Sequence, residues 1–126
     1  MPKPALQPSG RFHLHLLVSD MKASIDFYVT VLGFYYDHGV PEMAWLVKEH
    51  VLLTISPGEP PVNPQNYFGF NLNSQEELEE SYKALRRRFQ RVSAPPDAEA
   101  DRNYFFLFDP DDYPIAFTLS ALENRV

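Results

Sequence analysis

Four prolines within nine residues, in the segment Pro57 to Gln65 (PGEPPVNPQ), interrupt the chain near its middle and exclude a helix or a central strand there. Proline fixes φ and removes a backbone donor, so 57–65 is predicted to be an extended linker running over the surface. On either side of it the same order of apolar runs and breakers recurs. The 126 residues therefore divide into two short modules, about 11–56 and 66–120, which together have the size of one domain, 11–120. Residues 1–10, with three prolines, are expected to be a flexible N-terminus, and 121–126 a C-terminal tail.

In the first module, Phe12 to Ser19 (FHLHLLVS) is a short apolar run with alternating histidines, and it stops at Asp20, a good N-cap. This is a strand leading into a helix. Met21, Ile25, Tyr28 and Leu32 follow at spacings of four, three and four, an apolar helical stripe, and Gly33 is placed for a left-handed C-terminal cap. Three strands are predicted next, Phe34 to His38, Met43 to Lys48 and Val51 to Ser56, separated by Gly39-Val40-Pro41 and by Glu49-His50.

The second module repeats the order. Tyr67 to Asn73 is predicted as a strand, Ser74 as N-cap with Glu77 completing a capping box, and Leu78, Tyr82, Leu85 and Phe89 as the helical stripe. A short strand at Arg91 to Ser93 and a loop over Pro95 to Asp101 precede a hairpin, Asn103 to Phe108 and Tyr113 to Leu119, turning at Asp109-Pro110-Asp111-Asp112. At an offset of 54, Asp20 aligns with Ser74, Tyr28 with Tyr82 and His13 with Tyr67, so the repeat is one of architecture rather than of identity.

Composition narrows the chemistry. Apolar residues at 44% are enough for a packed core, and the absence of cysteine removes disulfides, thiol nucleophiles and thiolate metal sites. A net charge of −6 disfavours nucleic acid and anionic membranes as partners. Arg86, Arg87, Arg88 and Arg91 form the one basic cluster, placed where cations complement a helix C-terminus. No signal-peptide core or membrane-length apolar run is present, so a cytoplasmic location is expected. Nor is there a glycine-rich phosphate loop, a dinucleotide fingerprint or a serine triad in a recognisable context.

Three motifs in order, His13 to Asp20, Phe27-Tyr28 with Leu32-Gly33-Phe34, and Asp109-Pro110-Asp111-Asp112 in the place of a DPDG hairpin, resemble those of the vicinal oxygen chelate superfamily. That group includes glyoxalase I, fosfomycin-resistance enzymes, extradiol dioxygenases and bleomycin-resistance proteins. The resemblance spans residues 12–119 and implies an α+β fold in which two βαβββ modules form a cup-shaped, partly open mixed sheet. It further implies a divalent metal held from the first, fourth, fifth and eighth strands. His13 matches the first position, but the fourth strand offers Leu52 or Leu53, the fifth-strand position falls at Tyr67 and the eighth at Ala116. A complete structural zinc site is worth ~10 to 16 kcal/mol, and a quarter share, ~2.5 to 4, corresponds to millimolar binding or weaker. His15, on the same strand face as His13, adds a second imidazole but no carboxylate follows. A vestigial, metal-free site without a cofactor is therefore expected.

His13 and His15 on one face of a cup wall are candidate ligand contacts, able to donate or accept hydrogen bonds or to act as an acid/base pair. The resemblance gives Trp45, Tyr104 and Phe106 the parity that faces the ligand, with Tyr67 beside them; a hairpin slip of one residue would exchange Phe105 for Phe106. The expected function is metal-independent binding of a small aromatic or amphipathic molecule, by a homodimer that covers its sheet edges. A metal-dependent lyase, isomerase or dioxygenase with non-standard ligands is one alternative, and a non-catalytic dimerisation or regulatory module is another.

Overall fold

The computed structural model describes residues 5–6, 10–88, 91–97 and 102–119. They form an α+β chain that divides into two compact units between Pro60 and Pro61, inside the proline segment. Phe89 of the expected helical stripe and the two terminal segments 1–4 and 120–126 lie outside the described residues.

The first unit contains β1 (Phe12–Val18), α1 (Met21–Thr30), β2 (Tyr35–Val40), β3 (Met43–Lys48) and β4 (Val51–Pro57). Its four-stranded sheet has the order β1-β4-β3-β2, with β1 parallel to β4 and the other pairs antiparallel. Leu16, Val18, Ala44, Leu46, Leu53 and Ile55 share one face and are buried, and the core they make includes Tyr28 from α1. Tyr28 is fully buried with its ring edge-on to Phe34 at 5.8 Å. Asp20 has extended backbone and accepts a hydrogen bond from the Ala23 N–H at 3.1 Å, which starts α1.

Several boundaries differ from the sequence expectation for local reasons. The helix is capped by Val31 in right-handed conformation, and the left-handed turn comes two residues later, at Gly33 with φ of 76°. Across that turn the Phe34 N–H reaches the Tyr28 carbonyl at 2.9 Å, so glycine reverses the chain after the cap rather than forming it. Strand β2 continues through Gly39 to Val40, with an irregularity between Tyr36 and His38, and the turn shrinks to Pro41-Glu42. Strand β4 includes Pro57, which was expected to open the linker; the ladder survives because the Gly58 N–H bonds the Val18 carbonyl at 3.0 Å.

The second unit contains β5 (Phe68–Leu72), α2 (Gln75–Arg88), β6 (Tyr104–Phe108) and β7 (Pro114–Leu119). The order β5-β7-β6, parallel then antiparallel, repeats that of β1-β4-β3. The strand expected at 91–93 is reduced to a single bridge from Val92 to Leu107, flanked by bonds from the Ser93 N–H to the Phe106 carbonyl and from the Phe108 N–H to the Arg91 carbonyl. It occupies the place that β2 holds in the first sheet, and Pro95 and Pro96 stop it from lengthening. Asp97 and Arg102 then bond each other reciprocally through their backbones, closing the loop expected over 95–101.

Helix α2 contacts all three strands. Leu78, Phe105, Leu107, Ile115 and Phe117 are buried in this core, where Phe105 stacks on Phe117 at 4.9 Å and receives Tyr82 edge-on at 5.4 Å. Tyr82 thus repeats the part played by Tyr28. The cap of α2 is reciprocal: Ser74 Oγ accepts from the Glu77 N–H at 3.1 Å, while Glu77 reaches back to the Asn73 N–H at 3.0 Å. Ser74→Ala is expected to lower stability by about 1 kcal/mol, read as a shifted urea midpoint with an unchanged m-value. Arg86, Arg87 and Arg88 form the basic last turn of α2, and Arg91 is ion-paired with Asp112 in the hairpin turn.

Candidate functional site

On the first sheet, the face away from the buried core carries His13 and His15 from β1, Thr54 from β4 and Trp45 from β3. Pairing explains the assembly: His15 is opposite Thr54, and Thr54 is opposite Trp45, so three strands bring these side chains side by side. Thr54 is only 2% exposed, whereas both histidines are exposed. Its hydroxyl lies 3.1 Å from His13 Nε2 and 2.7 Å from His15 Nδ1, bridging the two imidazoles. Trp45 is half-buried and stacks flat on His38 at 4.2 Å and 10°, and His38 Nδ1 donates to the Asp37 carboxylate at 2.6 Å.

Of the fourth-strand residues considered from sequence, Leu52 shares the histidines' face, opposite His13, and Leu53 is buried on the other. The polar group that the strand contributes is Thr54, which sequence reasoning missed. The signal was present, since a threonine interrupts the apolar run VLLTIS, but only the parallel register shows that it meets the histidines. His38 was missed because the irregularity after Tyr36 changes which residues of β2 stand beside Trp45.

On the second sheet, Tyr67, Asn103, Tyr104, Phe106, Ala116 and Thr118 line a concavity of about 330 Å³. Pairing again gives the reason: Phe106 is opposite Ala116, Tyr104 opposite Thr118 and Gly69 opposite Ala116. The Phe106 ring receives Tyr67 edge-on at 5.1 Å and Tyr104 at 5.9 Å. Phe105 points the other way into the core under α2, so the register puts Phe106 on the concave side. Asn103 and Thr118, not anticipated as site residues, give this otherwise aromatic hollow hydrogen-bonding groups; the Thr118 hydroxyl donates to Asn71 Oδ1 at 2.8 Å.

The structure thus brings the predicted residues together in two groups, one in each unit: His13, His15 and Trp45 around Thr54, and Tyr67, Tyr104 and Phe106 over Ala116. Among the described residues no three His, Asp or Glu side chains cluster. The donor types at the four superfamily positions, one imidazole, an aliphatic side chain, a phenol and a methyl group, do not fit a divalent metal site.

A family model for the Glyoxalase/Bleomycin resistance protein/Dioxygenase superfamily matches residues 10–117. The chain belongs to this superfamily. Solved structures that resemble this superfamily member include the genomically encoded fosfomycin resistance protein FosX from Listeria monocytogenes, at 17% identity and a TM-score of 0.79, covering 95% of this chain and 100% of that one. A possible glyoxalase from Bacillus cereus aligns at 21% identity and a TM-score of 0.70, over 88% and 99% of the two chains. Lactoylglutathione lyase from Agrobacterium tumefaciens aligns at 15% identity and 0.67, over 91% and 96%. At these identities the likeness is one of fold. None of the curated proteins matches the chain significantly. No helix among the described residues is long and apolar enough to cross a membrane.

Proposed function

We propose that this superfamily member is a cytoplasmic, metal-independent binder of a small aromatic or amphipathic molecule, held on the aromatic concavity of the second unit. The observation that carries the reading is Ala116: where the superfamily places a metal-binding carboxylate, a buried methyl group lies in a hollow walled by Tyr67, Tyr104 and Phe106. The hollow is at the small end of the ~300 to 1,000 Å³ range of ligand pockets, and rings with a few polar groups suit a flat, mostly apolar guest. A non-catalytic resistance or sequestration role fits such a site, as the family description includes bleomycin resistance proteins.

Ligand-observed NMR with a panel of small aromatic compounds tests this. Hits are expected to lose about tenfold in affinity in Phe106→Ala, the equivalent of ~1.4 kcal/mol for one lost ring face. The rival, a metal-dependent lyase, isomerase or dioxygenase, requires a bound divalent cation. Near one equivalent of metal in untagged protein, lost in His13→Ala, would sink the metal-free reading. We also propose a homodimer. Strand β2 is a sheet edge whose six residues are all exposed, with Tyr35 at 71% and Val40 at 51%, and such edges are commonly covered by association. Light scattering that gives a monomer mass at micromolar concentration would overturn this.

A further inference from the structure

The first unit holds a second arrangement that the aromatic concavity does not use. Thr54 Oγ1 is buried and touches two imidazole nitrogens, His13 Nε2 and His15 Nδ1, and these are its only hydrogen-bond partners among the described residues. A hydroxyl has one proton, and a buried one must be given to a partner. Four proton arrangements of the neutral pair are conceivable, and the bridge satisfies two.

If His15 Nδ1–H donates to Oγ1 and the hydroxyl donates to His13 Nε2, both rings are Nδ1–H tautomers. If His13 Nε2–H donates and the hydroxyl donates to His15 Nδ1, both are Nε2–H tautomers. The mixed arrangements bridge incompletely: with two inner N–H groups the buried threonine proton is orphaned, and with two inner bare nitrogens the one hydroxyl proton serves only one of them. In both fully bridged arrangements the outward nitrogens, His13 Nδ1 and His15 Nε2, differ, one an N–H donor and the other a bare acceptor. Two bare nitrogens, as a chelated cation requires, or two N–H donors, as an anion clamp requires, would each cost the bridge at least one of its two bonds.

We infer that His13, His15 and Thr54 form a tautomerically coupled recognition site for a neutral group with its own adjacent donor and acceptor, of the cyclic amide (lactam) class. Trp45, across β4 from His15 on the same face, adds a flat flank that suits a planar ring. The two satisfied arrangements interconvert by moving three protons, inner N–H to Oγ1, Oγ1–H to the other inner nitrogen, and a compensating exchange at the outer nitrogens. A bound lactam can take the proton of one outer N–H on its carbonyl oxygen and give its own N–H proton to the other outer nitrogen, becoming the lactim, so no net charge and no cofactor is needed.

The test is long-range 1H–15N correlation on histidine-labelled protein at alkaline pH, with 2-pyridone as the probe. Wild type is expected to show His13 and His15 in the same tautomer, and Thr54→Ser to keep it. Thr54→Val should release both rings to a free-imidazole mixture, and so should His13→Phe for His15, at an exposed position that keeps the measurement readable if the valine variant does not fold. Addition of 2-pyridone should give saturable shifts at both histidines in wild type, weakened at least about tenfold in Thr54→Val or, failing that, in His13→Phe. Opposite tautomers in wild type, tautomers indifferent to these substitutions, or no saturable shift with 2-pyridone would overturn the proposal.

Discussion

Replacing Gly69 by valine is expected to destabilise the protein by about 3 kcal/mol, at the upper end of what overpacking costs. Gly69 is in β5 and pairs in parallel with Ala116 of β7. A Cβ at Gly69 would overlap the Ala116 carbonyl oxygen and stand 2.8 Å from both the carbonyl carbon and the Ala116 methyl. The obstacle is main chain, which cannot rotate away as a side chain could, so the two strands would have to part. Because Ala116 also lines the concavity, the same strain would reach the proposed ligand surface. Urea unfolding followed by tryptophan fluorescence and circular dichroism measures it, with Gly69→Ala expected in the same direction but smaller. A valine variant within about 0.5 kcal/mol of wild type, the range of ordinary surface substitutions, would show that the strands approach less closely than described.

The second large effect is expected at Asp109, the first residue of the hairpin turn. Its carboxylate is 1% exposed, and Oδ1 accepts from the Asp111 and Tyr113 N–H groups, both at 2.9 Å. Backbone bonds from Asp109 N–H to the Tyr113 carbonyl and from Asp112 N–H to the Asp109 carbonyl close the same turn. Asp109→Ala removes the acceptor and leaves donors behind, one of them buried, at about 2 to 4 kcal/mol. Asp109→Asn retains an acceptor oxygen and should recover a good part of the loss. Equal losses in the two variants would mean that the side chain's role is packing rather than hydrogen bonding. Asp112, at φ of 69°, occupies the left-handed position where the superfamily motif has glycine, and its ion pair with Arg91 ties the turn to the bridging segment.

Much of the fold is legible in the sequence because its determinants are local. Asp20 and Ser74 announce helix starts, since each needs only backbone N–H groups within three residues. Alternation in β1 and β6 tells which residues share a face, because strand geometry has period two. Expectation and structure part where a strand is interrupted, or is held by a neighbouring strand rather than by its own pattern. Val92 stays a single bridge because prolines follow it, β2 is shifted by an irregularity, and Pro57 remains in β4 through a bond made by its neighbour.

The candidate site divides along the same line. From sequence come the histidines on one strand face, the expectation that Tyr67 and Ala116 stand in place of metal ligands, and the surplus of aromatic residues, because residue type and parity are properties of single strands. Thr54 could be found only after folding. Its partners are 39 and 41 residues away in the chain, and a parallel pairing, whose register no turn dictates, decides that it lies beneath two imidazoles. The choice of Phe106 over Phe105 for the concave side likewise waited on the β6–β7 register. The sequence by itself thus determined the modules, their order and which residue types each strand can offer a site. Tertiary pairing decided which hydroxyl couples the histidines and which rings face Ala116, because strand register is set by the packing of a whole sheet and not by any one of its strands.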